Sequence, residues 1–369
     1  MKYFNISAFI AGVAVVCFFA SSVYGDDGDK SGFTFQTDDQ SVSVIDGGKL
    51  VFAFNYAFLD HENVPKNEPR RFAGDYVYPL YGVLGENLLD DAPKDHYHHH
   101  GIFWTWPGVF VHEKDGTVKQ FDLWTSNTAI RQRFIKFHKL EADADRAVLT
   151  VGNGWYIGGK STVPDIEIDA AKKGLDIAEN EKYYGEKIVS EFVSLTVHPE
   201  TVFEGFRVRS IDFKLTLIPT TKDVSLQGAE HKSYGGLTIR FCQQGNEIGK
   251  DKFITTDEGV AKEDMPEKKL RWADYTSLFG GKDPQKGETN SLSGAAIFLA
   301  PDFPDFPPTW LTRYYGPLCV GFPGVVAQRF EAGKPVEMNA RIWIHEGLPS
   351  TEVLTRAYED YANNYSHAE

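Results

Sequence analysis

Cysteine is scarce in this chain of 369 residues, which has three, and only Cys242 and Cys319 lie outside the apolar N-terminal segment. Two cysteines cannot build the disulfide framework that holds small secreted domains together, so the sequence allows either one bridge or two buried thiols. Stability must come instead from a hydrophobic core, for which a chain of this length is ample.

Several motifs of well-known enzyme classes are also absent. The sequence has no Gly-x-Ser-x-Gly elbow, which argues against a serine nucleophile of the α/β-hydrolase kind. It has neither a Gly-x-x-x-x-Gly-Lys-Ser/Thr phosphate loop nor a Gly-x-Gly-x-x-Gly turn that opens a helix after a strand. We therefore expect no nucleotide cofactor.

Basic charge is in short supply. There are 38 lysines and arginines against 52 aspartates and glutamates, which gives a formal net charge of −14. Such a surface repels nucleic acid and anionic lipid, so neither is an expected partner. Aromatic residues make up 14% of the chain, and they suit stacking on sugar rings as well as ordinary core packing.

Long apolar runs are missing after the first 25 residues, so the sequence predicts no membrane span. The run from Ile6 to Phe19 is shorter than the roughly 20 residues that a helical span needs, and it leads to small residues that end at Gly25. This pattern predicts a secretory signal peptide over residues 1–25, and hence a secreted or periplasmic protein. Residues 26–369 contain no linker rich in proline or serine, and we interpret them as a single domain.

Alternation of apolar and polar residues dominates the remaining chain and predicts β-strands. It is clearest over residues 211–217 and 336–345. Helical patterns are confined to an insertion at about residues 160–187 and to a terminal helix, from Thr351 to about Asn363, that Ser350 caps. Many strands and few helices predict an all-β fold, a large antiparallel β-sandwich or barrel.

A histidine-rich stretch, residues 95–101, has the sequence Asp-His-Tyr-His-His-His-Gly and runs directly into an apolar aromatic segment. If this stretch is a strand, His96, His98 and His100 point to one face and His99 points to the other. Imidazole titrates near neutral pH, binds metals and transfers protons. The stretch therefore predicts a functional site.

A metal site is an alternative use of the same stretch. His96 and His98 have the spacing by which one strand offers two imidazoles to one ion, as in cupins. Such a site also needs a carboxylate a few residues later, but residues 101–111 contain none, and the first is Glu113. The leading prediction is therefore a site without a cofactor. A divalent metal bound by His96 and His98 is the alternative prediction.

Four further groups of polar and aromatic residues lie at predicted turns or strand ends and could share a cavity with the histidines. They contain imidazole, carboxylate, guanidinium and indole groups, which suit the binding of a carboxylate, a sulfate or a sugar ring. In chain order, they are Glu230-His231-Lys232 with Arg240, Arg271 to Tyr275, Pro308 to Gly316, and His345-Glu346-Gly347.

The order of these motifs is similar to that of the secreted bacterial family known as PmoA-like. The histidine stretch resembles its Asp-His-Pro-His-His-Arg-Gly signature, with Tyr97 in place of proline and His100 in place of arginine. The resemblance covers the chain from about Tyr76 to Gly347. It implies a β-sandwich similar to galactose mutarotase, in which a concave sheet face binds a sugar and a histidine and a carboxylate transfer protons. The family's name refers to a methane oxygenase subunit, but such a subunit is an integral membrane protein, so we do not expect that function here.

The leading hypothesis is a secreted carbohydrate-active enzyme of polysaccharide degradation: a lyase, a hydrolase or an epimerase. We expect His98 or His99 to act as general base or acid, with Asp274 or His345 as its partner. The other predicted substrate contacts are His96, Trp104, His231, Arg240, Trp272, Trp310, Arg313 and Tyr315. The alternatives are a non-catalytic carbohydrate-binding protein and an oxygenase or isomerase with its metal on His96 and His98.

Overall fold

Alternating apolar side chains build two large antiparallel sheets, sheet I and sheet II, which pack face to face around a shared hydrophobic core. A computed structural model describes residues 32–125, 129–158, 184–242, 247–279 and 291–365. The predicted signal peptide, residues 1–25, and most of the predicted insertion, residues 160–183, lie outside the described residues. Within them, the predicted antiparallel β-sandwich is confirmed.

Sheet I has nine strands in the described part of the chain, numbered here in chain order. In spatial order they are β1 (Phe33–Thr37), β2 (Ser41–Asp46), β3 (Lys49–Asn55), β6 (Tyr76–Leu80), β7 (Ile102–Thr105), β16 (Gly236–Arg240), β23 (Pro317–Gly321), β22 (Thr309–Thr312) and β19 (Met265–Lys269).

Sheet II has ten strands within the described ranges. Nine follow one another as β10 (Ile130–Ala142), β11 (Ala147–Gly158), β12 (Gly185–Val197), β14 (Phe206–Pro219), β25 (Val336–Glu346), β21 (Ser293–Leu299), β20 (Trp272–Ser277), β17 (Lys252–Thr256) and β18 (Gly259–Val260). The tenth strand, β13 (Thr201–Phe203), pairs with β14.

Smaller elements complete the described fold. A four-stranded sheet has the order β24 (Gln328–Phe330), β15 (Val224–Gln227), β8 (Gly108–His112) and β9 (Val118–Phe121). A short hairpin joins β4 (Leu59–Asp60) to β5 (Phe72–Ala73), with a 3-10 turn at Pro69–Arg71 just before β5. The helix α1 spans Thr351–Asn364.

Strand β14 shows how alternation produces the core. Ile211, Phe213, Leu215 and Leu217 point into the space between the sheets and are at most 3% exposed, whereas residues 212, 214 and 216 point outwards. Burying one such side chain contributes about 1.5–3 kcal/mol. The alternation predicted for residues 211–217 and 336–345 is confirmed.

A carboxylate also lies between the sheets. Glu191 on β12 is fully buried, and its oxygens accept hydrogen bonds of 2.7–3.0 Å from the side chains of Trp104, Gln132, Asn153 and Trp155. These donors replace the water that the carboxylate loses on burial. Trp104 belongs to sheet I and the other three donors to sheet II, so this hydrogen-bond cluster connects the two sheets.

The predicted terminal helix is confirmed, with the predicted cap. The Ser350 hydroxyl accepts a hydrogen bond from the Val353 backbone N–H, and Glu352 adds a negative charge in the first turn. The buried face of α1 covers the outer face of sheet II and consists of Leu354, Ala357, Tyr358 and Tyr361. No helix in the described ranges has the length and apolarity needed to cross a membrane. Cys242 and Cys319 are free thiols.

Candidate functional site

The histidine stretch is a pair of turns before β7, so the predicted strand with alternating histidine faces is wrong. The His96 backbone N–H donates to the Pro93 carbonyl, and the His99 N–H donates to the His96 carbonyl. The stretch ends at Gly101, whose φ is +48° and where a Cβ would lie 2.0 Å from the Val77 carbonyl oxygen. We call residues 95–100 the histidine turn.

The turn brings His96 and His99 together instead of separating them. Their rings stack with centroids 4.6 Å apart, and the ring of His98 meets both at steep angles. On its other side, His96 stacks on Tyr315 at 5.1 Å. The predicted site residues His96, His98, His99 and Tyr315 therefore do lie in one place.

Arg240 joins this cluster because alternation along β16 points it outwards. Leu237 and Ile239 face the core, so Arg240 lies on the outer face of sheet I. Its Nη2 donates to both Asp95 oxygens at 2.9 and 3.0 Å, and its guanidinium lies 4.9 Å from the centre of the Tyr315 ring. The side chain is fully buried, and its Nε and Nη1 have no hydrogen-bond partner in the described structure.

Burial and neighbouring positive charge control the protonation of the histidine turn. Burial, with contributions from other histidines and from Arg240, lowers the pKa of His98 to about 4 and the pKa of His99 well below its usual value. Both rings are thus neutral near pH 7. Partial burial raises the pKa of Asp95, but hydrogen bonds from His96 and Arg240 outweigh it, so the pKa is lowered overall.

A second cluster, which we call the His–Asp–His cluster, adjoins the turn and contains His61, Asp91 and His100. His61 Nε2 lies 3.1 Å from one Asp91 oxygen, and His100 Nδ1 lies 2.8 Å from the other. The Tyr76 hydroxyl donates to Asp91 at 2.9 Å. Burial raises the pKa of Asp91, but the hydrogen bonds with the two imidazoles outweigh it and hold that pKa far below its usual range.

The His–Asp–His cluster has the donor set of a metal site. One ligand atom from each of its three residues lies within 4.8 Å of the other two. Two imidazoles and a carboxylate suit ions such as zinc and iron. The predicted pair His96 and His98 belongs to no such group of three ligand atoms within the described residues, and the neighbouring Asp95 binds Arg240.

A small cavity of about 50 Å³ opens between the two clusters. Several buried polar atoms of its lining residues have no hydrogen-bond partner in the described ranges, among them His98 Nδ1, His100 Nε2, Thr105 Oγ1 and the carboxyl oxygens of Asp75. Phe103 and Trp124 form an aromatic wall, with ring centroids 5.3 Å apart. The cavity therefore combines a hydrophobic wall with polar groups that lack partners.

The predicted stacking residues Trp104 and Trp310 do not reach this cavity. Both are fully buried between the sheets, where their indole N–H groups donate to Glu191 and to the Leu270 carbonyl. Alternation along β7 and β22 points them inwards, because neighbouring residues Phe103 and Leu311 occupy the outer face. Their predicted place in the site is wrong, and they are core residues.

Three other predicted residues lie on the opposite side of the sandwich. Asp274 on β20 and His345 on β25 form a fully buried pair, 2.9 Å apart, on the outer face of sheet II. Trp272 packs against the helix α1 on the same face. The prediction that Asp274 and His345 join the histidine turn is wrong, because their positions in the alternation point them away from the core and from sheet I.

The last two predicted residues lie at the surface. His231 is exposed in a tight turn, with a φ of +60°. Arg313 is half-buried beside Tyr315, and its Nη1 donates to Asp264 at 3.0 Å. Arg313 thus lies near the site, but Asp264 already binds its guanidinium.

Several site residues give no local signal in the sequence. His61 lies in a proline-rich, charged segment, and Asp91 lies nine residues before His100 in an irregular loop. Trp124 follows β9, in a part of the chain without clear alternation. Only the pairing of segments distant in sequence brings them to the histidine turn, and a single sequence does not show that pairing.

A family model described as "Family of unknown function (DUF6807)" matches residues 41–359. The chain belongs to this family. The match covers every residue of the histidine turn and of the His–Asp–His cluster in the DUF6807 protein described here. It names no activity, and the resemblance to PmoA-like proteins stays a prediction.

Two of the solved structures with some likeness to this DUF6807 protein come from lactobacilli. An alpha-galactosidase from Lactobacillus brevis is 8% identical with a TM-score of 0.33, and the alignment covers 86% of this chain but only 39% of the enzyme. A galactose mutarotase related enzyme from Lactobacillus acidophilus is 9% identical with a TM-score of 0.33, over 86% of this chain and 99% of that one. Scores this low carry no argument about function. No curated protein matches the chain.

Proposed function

We propose that this protein is a secreted carbohydrate-active enzyme and that the cavity beside the histidine turn binds a polar group of its substrate. The main support is that unpartnered polar atoms of His98, His100 and Thr105 belong to the lining of one cavity. A buried polar atom without a partner destabilises a fold by about 1–3 kcal/mol. Such atoms call for an explanation, and a ligand that completes their hydrogen bonds provides one.

The size of the cavity limits what enters it. At about 50 Å³ it accommodates a hydroxyl, a hydroxymethyl or a carboxylate group, but not a whole sugar ring. The partly exposed ring of His96 adjoins His98, and its faces are covered by His99 and Tyr315, so the remaining sugar would meet the edges of the His96 and Tyr315 rings. We therefore propose that a substituent of the sugar, rather than its ring, occupies the cavity.

We assign to Asp91 the role of carboxylate partner of the histidine, for which the sequence had suggested Asp274. His100 Nδ1 lies 2.8 Å from Asp91, and an ionised carboxylate there accepts a hydrogen bond from the Nδ1–H group. Nε2 of His100 then presents a lone pair to the cavity, where His98 Nδ1 also lacks a partner. A histidine oriented by a carboxylate is the arrangement that general acid–base catalysis uses, so we propose His98 and His100 as the proton-transferring pair.

Charge around the cavity favours an anionic sugar. Arg70 and Arg240 are close enough to His98 to lower its pKa. Arg70 pairs with Glu68 and Arg240 with Asp95, but Nε and Nη1 of Arg240 have no partner in the described residues. A guanidinium group binds carboxylate or sulfate strongly. Uronate-containing and sulfated polysaccharides are thus the preferred candidates, and either β-elimination, hydrolysis or epimerisation would use these groups.

The test is a screen of uronate-containing, sulfated and neutral polysaccharides, with reducing ends and near-ultraviolet absorbance followed together. We expect turnover on an anionic glycan, and a loss of about 10²–10⁴ in rate for His98→Ala and for His100→Ala. His198→Ala is the matched control, since this histidine is half-exposed on sheet II and pairs with Asp212 away from the cavity.

Two outcomes would overturn the proposed enzyme. Binding of a polysaccharide without turnover, weakened equally in both variants, would support the carbohydrate-binding alternative. Neither binding nor turnover across all three polysaccharide classes would remove carbohydrate from consideration.

A further inference from the structure

We propose that the His–Asp–His cluster binds one divalent transition-metal ion through His61 Nε2, an Asp91 oxygen and His100 Nδ1. This inference goes beyond the proposed function, because it would hold equally for a protein without catalytic activity. It also differs from the metal site predicted on His96 and His98, which belong to no group of three close ligand atoms in the described residues.

The distances within the cluster suit an ion at its centre. Ligand atoms about 2.1 Å from an ion and at right angles to each other are about 3.0 Å apart. The His61–Asp91 and His100–Asp91 separations are 3.1 and 2.8 Å, each to a different oxygen of Asp91. With one Asp91 oxygen taken for both histidines, the three ligand atoms lie within 4.8 Å of one another. The two imidazole rings have centroids 5.0 Å apart and are inclined at 43° to each other, and each has a nitrogen within 4.8 Å of a nitrogen of the other.

The hydrogen bond at the far side of His61 is an independent observation that favours a ligand. His61 Nδ1 lies 2.9 Å from the Arg71 backbone carbonyl, which can only accept, so Nδ1 carries the proton. In the neutral ring, Nε2 then directs its lone pair at Asp91. Metal-binding histidines are commonly held by such a bond from the other nitrogen to a carbonyl.

The cluster has more hydrogen-bond acceptors than protons to donate to them, which favours a bound cation. Three acceptors meet here, His61 Nε2 and the two Asp91 oxygens, while Tyr76 has one hydroxyl proton to donate at 2.9–3.1 Å. His100 supplies a second proton if its Nδ1 is protonated. His61 Nε2 and an Asp91 oxygen are then two acceptors in close contact with no proton between them. Such a contact is stable only if His61 is an imidazolium or if a metal ion lies between the two atoms.

Three protein ligands leave further coordination positions for water or substrate, as in catalytic rather than purely structural sites. The cluster is mostly buried, with side chains of His61, Asp91 and His100 between 7% and 11% exposed. His100 also links the ion to the cavity. If its Nδ1 binds the metal, its Nε2 becomes a hydrogen-bond donor to the cavity, and His98 is left as the proton acceptor.

The experiment measures metal binding directly in the full-length protein. The protein is purified without chelator for elemental analysis, then stripped and titrated separately with zinc, manganese, cobalt and, without oxygen, ferrous iron. We expect one equivalent to bind, and the cobalt form to show the visible absorption of an ion bound by nitrogen and oxygen.

Variants assign the ligands. We expect Asp91→Asn and His61→Ala each to weaken binding by 100-fold or more. Asp212→Asn is the matched control, because Asp212 also pairs with a histidine, His198, but with a single imidazole, and its metal binding should equal that of the wild type. If Asp91→Asn does not fold, His61→Ala and the wild-type cobalt spectrum still decide.

Two results would overturn the proposal. One is the failure of all four metals to bind the stripped wild-type protein, which would assign an imidazolium to His61. The other is binding that survives both Asp91→Asn and His61→Ala and is lost in His96→Ala, which would return the site to the histidine turn. Neither depends on whether the protein turns over a polysaccharide.

Discussion

The outer faces of the two sheets each carry a buried histidine–aspartate pair, and the two pairs differ in what surrounds them. On sheet II, His345 Nε2 lies 2.9 Å from Asp274, its Nδ1 lies 3.2 Å from the Glu346 carbonyl, and the other Asp274 oxygen accepts from Thr276. On sheet I, His100 Nε2 has no partner within the described residues. In the described structure, a histidine and an aspartate thus form a pair with all of its hydrogen bonds made on sheet II, and a pair with one ring nitrogen left without a hydrogen bond on sheet I.

This difference shows that the type of residue does not identify a site. His345 and Asp274 were predicted partners of the histidine turn, whereas Asp91 lies in an irregular loop and was not predicted. What separates the two pairs is whether each buried polar atom has a partner. The following predictions test that distinction, from the largest expected effect to the smallest.

The satisfied pair should matter most for stability. We expect His345→Ala to lower the free energy of unfolding by about 3–5 kcal/mol, because it leaves the buried Asp274 carboxylate without its imidazole. Urea unfolding measures this. Binding of metal and of polysaccharide by the folded fraction should not change, and a loss of either would place this pair in the functional site after all.

Glu191 extends the comparison to a buried carboxylate with no imidazole. Glu191→Gln replaces one accepting oxygen by an NH₂ group, which in the place of Oε2 would face the N–H donors of Trp155 and Gln132. We expect a loss of about 2–3 kcal/mol in the free energy of unfolding, from two unmade hydrogen bonds. Equal stability of wild type and variant would mean that the carboxyl group is protonated in the folded protein.

The histidine turn should make stability depend on pH. Burial lowers the pKa of His98 to about 4 in the folded chain, against about 6.5 in the unfolded one. The unfolded chain therefore binds the extra proton, and the stability from this group is present above pH 6.5 and lost as the pH falls towards 4. We expect a change on the order of 2 kcal/mol in wild type and a smaller one in His98→Gln, measured by urea unfolding at several pH values. Parallel curves for the two proteins would contradict the assignment.

Much of the fold could be predicted from the sequence, because alternation is a local property. Residues 211–217 and 336–345 show it clearly, and Ser350 marks the start of the helix α1. The same alternation points Arg240 outwards. Where the chain turns instead of extending, as at the histidine turn, alternation does not apply, and the predicted faces were wrong.

The site was only partly predictable, for a different physical reason. His96, His98 and His99 are neighbours in sequence, so their clustering is local. His61 reaches His100 only through the pairing of segments distant in sequence, and Asp91 reaches it across an irregular loop whose path has no sequence pattern. The indoles of Trp104 and Trp310 were misplaced because a large aromatic ring fills a core as readily as it stacks on a sugar.

The hydrogen-bond cluster around Glu191 has a consequence for the site on the far side of sheet I. The hydrophobic effect is non-directional, so by itself it favours contact between the two sheets without favouring one alignment of them. A bond from Trp104 to Glu191 has a fixed length and angle, and it selects one alignment of the sheets. Trp104 comes four residues after His100 on the same continuous segment. The hydrogen bond between Trp104 and Glu191 inside the sandwich thereby helps to fix the position of His100 on the outer face of sheet I.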